Sequence, residues 1–110
     1  MNDTLTLTDS IDIPAWDVAL AGLARETFLA KGNGLKLLDF KKLATDYNIR
    51  LDDIMITMFQ LAIHGEWRYL DKTGNSQPIT QNTLDGLYVN RRLTELDLQD
   101  FDGAWQPVKV

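Results

Sequence analysis

At 110 residues, with 45% apolar and 25% charged side chains, the chain has the size and composition of one soluble domain around one core. It contains no cysteine, which excludes disulfides, thiolate metal sites and a cysteine nucleophile and fits a reducing compartment. A net charge of −5 opposes phosphate-rich partners unless a local patch overrides it.

That charge is uneven. Residues 1–30 hold five acids and one base, residues 31–92 seven acids and nine bases, and residues 93–110 four acids and one base. Acidic ends therefore flank a mildly basic middle.

Residues 1–12 are polar, with Leu5, Leu7, Ile11 and Ile13 at alternate spacing, and read as a flexible N-terminal arm, with a short edge strand as the alternative. A single domain is expected over residues 13–110. The start has no basic stretch and no long apolar run of the kind a secretory signal needs. No segment reaches the roughly 18 apolar residues of a membrane span. A cytoplasmic protein is the expectation, with no membrane partner.

Pro14 suits the first turn of a helix, where its missing N–H is no loss. Trp16, Ala19, Leu20, Leu23 and Thr27, with Phe28 alongside, give one apolar face to a helix over 14–31. The run Gly32-Asn33-Gly34 ends it. Asp39 reads as the N-cap of a second helix, whose buried stripe is Phe40, Leu43, Ala44 and Tyr47. Asn48 follows as the residue that turns the chain. Asp52 is a second N-cap candidate, and Asp52 and Asp53 both suit the positive end of a helix running to His64 and closed by Gly65.

After Gly65 the period changes. Glu66–Leu70 alternates and is rich in aromatics, as a strand is. Asp71–Ser76 is rich in turn formers. Pro78 keeps the next apolar stretch at an edge or in a loop. Gly86–Arg92 is strand-like as well, or residues 82–87 start a short helix capped by Asn82. Leu96, Leu98 and Phe101 anchor an acidic C-terminal segment, and Trp105 packs back onto the domain.

The stretch Phe40–Phe59 resembles the helix-turn-helix pattern. Ala44 is the small residue at the helix crossing, Asn48 the tolerant turn residue, and Ile49, Leu51 and Ile54 the apolar positions after it. With the helix before it and Glu66–Thr80 after it, residues 14–92 are similar to a winged-helix domain. The fold that this implies is α+β: three helices followed by a β-hairpin wing. The resemblance implies DNA contact through the helix 52–64 and the wing. Arg68, Lys72, Arg91 and Arg92 read either as a basic patch on phosphate or, more readily, as a solvated surface salt-bridged to the acidic tail of Glu95, Asp97, Asp100 and Asp102. The early residues of that helix depart from the pattern. Asp52, Asp53, Met55 and Ile56 stand where a DNA reader carries Arg, Lys, Asn or Gln.

The helix 52–64 is apolar almost all round, which is the mark of burial. A chain of this length has little else to cover it. Met55, Ile56, Phe59 and Ile63 are therefore the expected interface with a partner protein or a second copy of the chain. Met55 and Met58 also read as core.

No catalytic constellation emerges. His64 is the only histidine and reads as a helix C-terminal residue. Adjacent Asp52 and Asp53 point about 100° apart on a helix and make a poor acid–base pair. Lys31–Lys36 lacks the strand and the Lys-Ser/Thr ending of a phosphate-binding loop. No metal, cofactor or small-molecule ligand is expected. The leading expectation is a non-enzymatic regulatory or adapter module, self-associating through its apolar helix. A DNA-binding regulator stands second. A small acidic inhibitor or immunity-type protein, motivated by the charge of the two ends, stands third.

Overall fold

The computed structural model describes residues 16–87 and 98–109. Pro14, Leu96 and the whole 1–12 arm lie outside them.

Helix α1 spans Val18–Lys31. It starts later than the sequence predicts, because Asp17 is the cap: its carboxylate accepts the Leu20 N–H at 3.1 Å. Its inward side is Leu20, Ala24 and Phe28, at i, i+4 and i+8, whereas Ala19 is exposed. Phe28 meets Trp67 edge-on at 6.1 Å. Gly32, at φ 86°, ends the helix in the left-handed conformation.

Helix α2 spans Leu37–Asp46 and α3 spans Leu51–Ile63. Both predicted N-caps are corrected. Lys36 caps α2, and Asp39 sits in its first turn. From there the Asp39 carboxylate reaches back to the Lys36 N–H at 2.8 Å and pairs with Lys31 at 2.6 Å. Arg50 caps α3, with Asp52 in its first turn, 3.0 Å from the Arg50 guanidinium. Both acids keep the favourable dipole position without being caps.

The turn between α2 and α3 is built as the sequence indicates. Asn48 adopts φ 54°. The Ile49 N–H then bonds the Ala44 carbonyl at 2.9 Å, and the Asn48 N–H bonds that of Thr45. These two bonds satisfy carbonyls that the helix end leaves free. The same pair recurs after α3, where Glu66 bonds Leu61 and Gly65 bonds Ala62.

Strand β1, Trp67–Leu70, is the centre of a three-stranded antiparallel sheet in the order β2-β1-β3. Strand β2 is only Ser76–Gln77 and stops before Pro78. Residues 81–87 form helix α4, capped by Thr80 and not by Asn82: the Thr83 N–H bonds the Thr80 hydroxyl and the Thr80 N–H that of Thr83. Strand β3, Ala104–Pro107, follows one 3-10 turn at Gln99–Phe101. Sequence reasoning found Trp105 but not this strand. Trp105 pairs with Tyr69 in the sheet, and its backbone also exchanges two 2.8 Å hydrogen bonds with Leu35, from the α1–α2 link.

The β1–β2 turn is organised by Asp71. Its carboxylate accepts from the Thr73 hydroxyl, the Gln77 amide and the Thr73 and Asn75 N–H groups. Thr73, Gln77 and the Asn75 N–H together hold its carboxyl down to about 2, from the usual 3.8. A carboxyl lowered on folding adds stability above the unfolded value, and that stability disappears as pH falls through the folded one. Wild type is therefore expected to lose stability more steeply than Asp71→Asn between about 3.8 and about 2. Urea titrations across that window check this, and parallel slopes contradict it.

The core centres on α3, which touches α1, α2, β1 and α4. Met55, Met58 and Phe59 on α3 are 0% exposed, as are Leu35, Phe40 and Trp105. This corrects the expected interface. Met55 and Phe59 are covered by the chain itself, and only Ile56 and Ile63 keep part of their surface. The sequence reading underestimated the cover that Leu84, Leu98, Phe101 and Trp105 provide from the second half of the chain.

Candidate functional site

One strip of α3 left partly uncovered is Asp53, Ile56 and Gln60, at i, i+3 and i+7; Leu51, Asp52, Ala62 and Ile63 at its two ends are partly open too. Thr57, beside it, is buried and spends its hydroxyl on the Asp53 carbonyl at 2.9 Å. The strip faces the start of α1 across a groove of about 370 Å³. Trp16 and Leu20 come from the α1 side, and Ile49 from the turn that Asn48 makes. These three with Ile56 give the groove an apolar lining. Asp17 and Asp53 stand on it, and among the described residues no Lys, Arg or His lines it. The cap at Asp17 and the tight turn at Asn48 fix the two walls.

Trp16 also lines a larger cleft, about 500 Å³, on its other side. That cleft joins Val18, Trp67 and Val108 with Arg25, Glu66 and Lys109. The Arg25 guanidinium is engaged there, donating to the Lys109 carbonyl at 2.9 Å. Its mixed charge selects no partner, so size alone does not make it the better site.

Of the residues expected to meet phosphate, Arg68 and Lys72 line no common cleft. Arg68 lies exposed on β1 beside Ser76–Ile79, while Lys72 sits at the β1–β2 turn, 4.0 Å from Asp102. The clefts they line share no residue. Arg91 and Arg92 lie outside the described residues. The cations that do share a cleft with Lys72 are Lys36 and Lys41, one in each of two, and Asp102 lines both.

His64 is the C-cap of α3, and its ring lies 5.5 Å from that of Trp16. Among the described residues, no three His, Asp or Glu side chains group as metal ligands. None of the described helices is long and apolar enough to cross a membrane.

No family model, no curated protein and no solved structure matches the chain.

Sequence reasoning named Ile56 but missed Trp16, Asp17, Leu20 and Ile49 as its neighbours. The Asp17 signal was present, since an Asp directly before an Ala-rich helical run is a cap in its own right. Pro14 drew the helix start away from it.

Proposed function

We propose that the chain is a non-enzymatic regulatory or adapter module, using a winged-helix-like scaffold for contact with a protein partner. One observation carries this reading. The strip of α3 that lines a groove with the start of α1 is Asp53, Ile56 and Gln60, and that groove is apolar and rimmed by carboxylates. A helix that reads bases presents donors to the groove of DNA and meets phosphate on either side. This strip offers a carboxylate and an aliphatic side chain there, with Gln60 as its one amide donor and no Lys or Arg to meet phosphate.

Self-association through α3 loses its strongest support, because Met55 and Phe59 belong to the core. The partner in this reading is another protein. The acidic-inhibitor reading shares the same support, since Asp17 and Asp53 favour a basic surface.

DNA binding through Arg68 and Lys72 is the competing reading, and it has a direct test. Non-specific DNA binders hold duplex at roughly 1–100 µM at physiological salt, and more tightly as salt falls. Fluorescence anisotropy of a labelled duplex at low salt is expected to show no saturable binding. A saturable curve that Arg68→Ala and Lys72→Ala weaken would overturn the proposal.

A further inference from the structure

We infer that the groove between α1 and α3 takes one short amphipathic helix of a partner protein, with apolar side chains on Trp16, Leu20, Ile49 and Ile56 and a flanking Lys or Arg between Asp17 and Asp53. This rests on the interaction-module reading and names the chemistry of the partner.

The geometry supplies the first half. Two helices with a shallow apolar trough between them are the form in which proteins receive an amphipathic helix. Ile56 and Gln60 lie one turn apart on one wall, and Trp16 and Leu20 on the other. Trp16 is half-buried, so part of its indole is open to a partner. Trp residues in such positions anchor interfaces.

Charge supplies the second half and selects the occupant. Asp17 caps α1 and Asp53 lies in the first turn of α3. Each helix N-terminus offsets roughly half a unit of charge. Two carboxylates against two such ends leave the rim negative. Arg50 is paired with Asp52 and does not line the groove. The chain's own residues 1–15 carry Asp3, Asp9 and Asp12 and no Lys or Arg, so they bring no cationic side chain to complement the rim. A second copy arrives with a net charge of −5. A basic amphipathic helix of another protein meets neither objection.

The test is an NMR titration of the full chain with three helical peptides: leucine–lysine, leucine–glutamate and serine–lysine. Only the leucine–lysine peptide is expected to saturate, shifting the Trp16 indole and the Leu20, Ile49 and Ile56 methyls. The Trp67 and Trp105 indoles, both buried, should stay in place. The double variant Asp17→Asn, Asp53→Asn should weaken that binding about tenfold, as expected for two rim charges. Asparagine caps a helix as well as aspartate, so the variant keeps its fold.

Equal binding of the serine–lysine peptide would reduce the effect to bulk charge and overturn the inference. Equal binding of the leucine–glutamate peptide would overturn its basic partner. Contacts in the free protein between Leu5 or Ile11 and Ile56 would make the occupant the chain's own start. A dimer in sedimentation that the double variant abolishes would make it a second copy. Shifts confined to another surface would overturn the groove and leave the interaction-module reading standing. That reading falls separately, on a DNA-binding result.

Discussion

Trp105→Ala is expected to remove about 3–5 kcal/mol of stability, the usual range for truncating a fully buried tryptophan. The indole is 0% exposed and stands between three elements. Tyr69 of β1 lies 4.9 Å from it, Phe59 of α3 5.3 Å and Phe40 of α2 6.5 Å, the last two edge-on. The indole N–H also points to the Phe101 carbonyl, 3.4 Å away. Alanine would leave a cavity whose walls belong to different elements, so no single side chain can fill it. Small domains are stable by only about 5–15 kcal/mol, so much of the fold's margin goes with this ring. Urea denaturation of the two proteins measures it. A loss below about 1 kcal/mol would mean that the α3–sheet core is not packed around Trp105.

Gly103→Ala is expected to destabilise by about 3 kcal/mol, the upper end for forcing atoms into a filled space. A Cβ here would overlap the Leu70 carbonyl oxygen, and it would lie 2.8 Å from the Tyr69 hydroxyl and 3.0 Å from the Asp71 Cα. Two of these three are backbone atoms of β1 and its turn, which cannot swing aside. The Gly103 N–H also donates to the Tyr69 hydroxyl at 2.9 Å, and moving Gly103 loosens that bond. Burial pushes the Tyr69 phenol up, so the hydroxyl stays protonated and neutral as it accepts. The melting temperature should drop by roughly 10–20 °C. Gly86→Ala is the control, because its Cβ meets nothing and α4 gains a better helix former. Equal melting temperatures for the two variants would remove the steric account of Gly103.

What the sequence could reveal followed from local chemistry. The turn at Asn48 and the helix stops at Gly32 and Gly65 were readable, because a left-handed backbone favours Asn and Gly. The burial of Met58 was readable from an all-apolar helix. The N-caps were misplaced for a physical reason. An acid in the first turn satisfies the same N–H groups and the same dipole as one at the cap, so Asp39 and Asp52 looked like caps from composition alone. Strand β3 was hidden because its four residues acquire a strand's environment only by pairing with β1, far earlier in the chain. The interface expectation failed on Met55 and Phe59 for the same reason: their cover arrives from α4 and the C-terminal residues. The groove depends on two helices meeting, and no spacing within either one announces it.

Photo-crosslinking from position 60 in the cell of origin tests most directly whether this face of α3 meets a protein. Gln60 lies on the groove and is half-buried, so a benzophenone side chain there reaches an occupant without entering the core. The same probe at exposed Asp85 on α4 controls for chance collisions. The expected result is a light-dependent adduct from position 60 alone, joined to a polypeptide segment bearing Lys or Arg beside apolar residues. An adduct with DNA, or none beyond that from position 85, would contradict it.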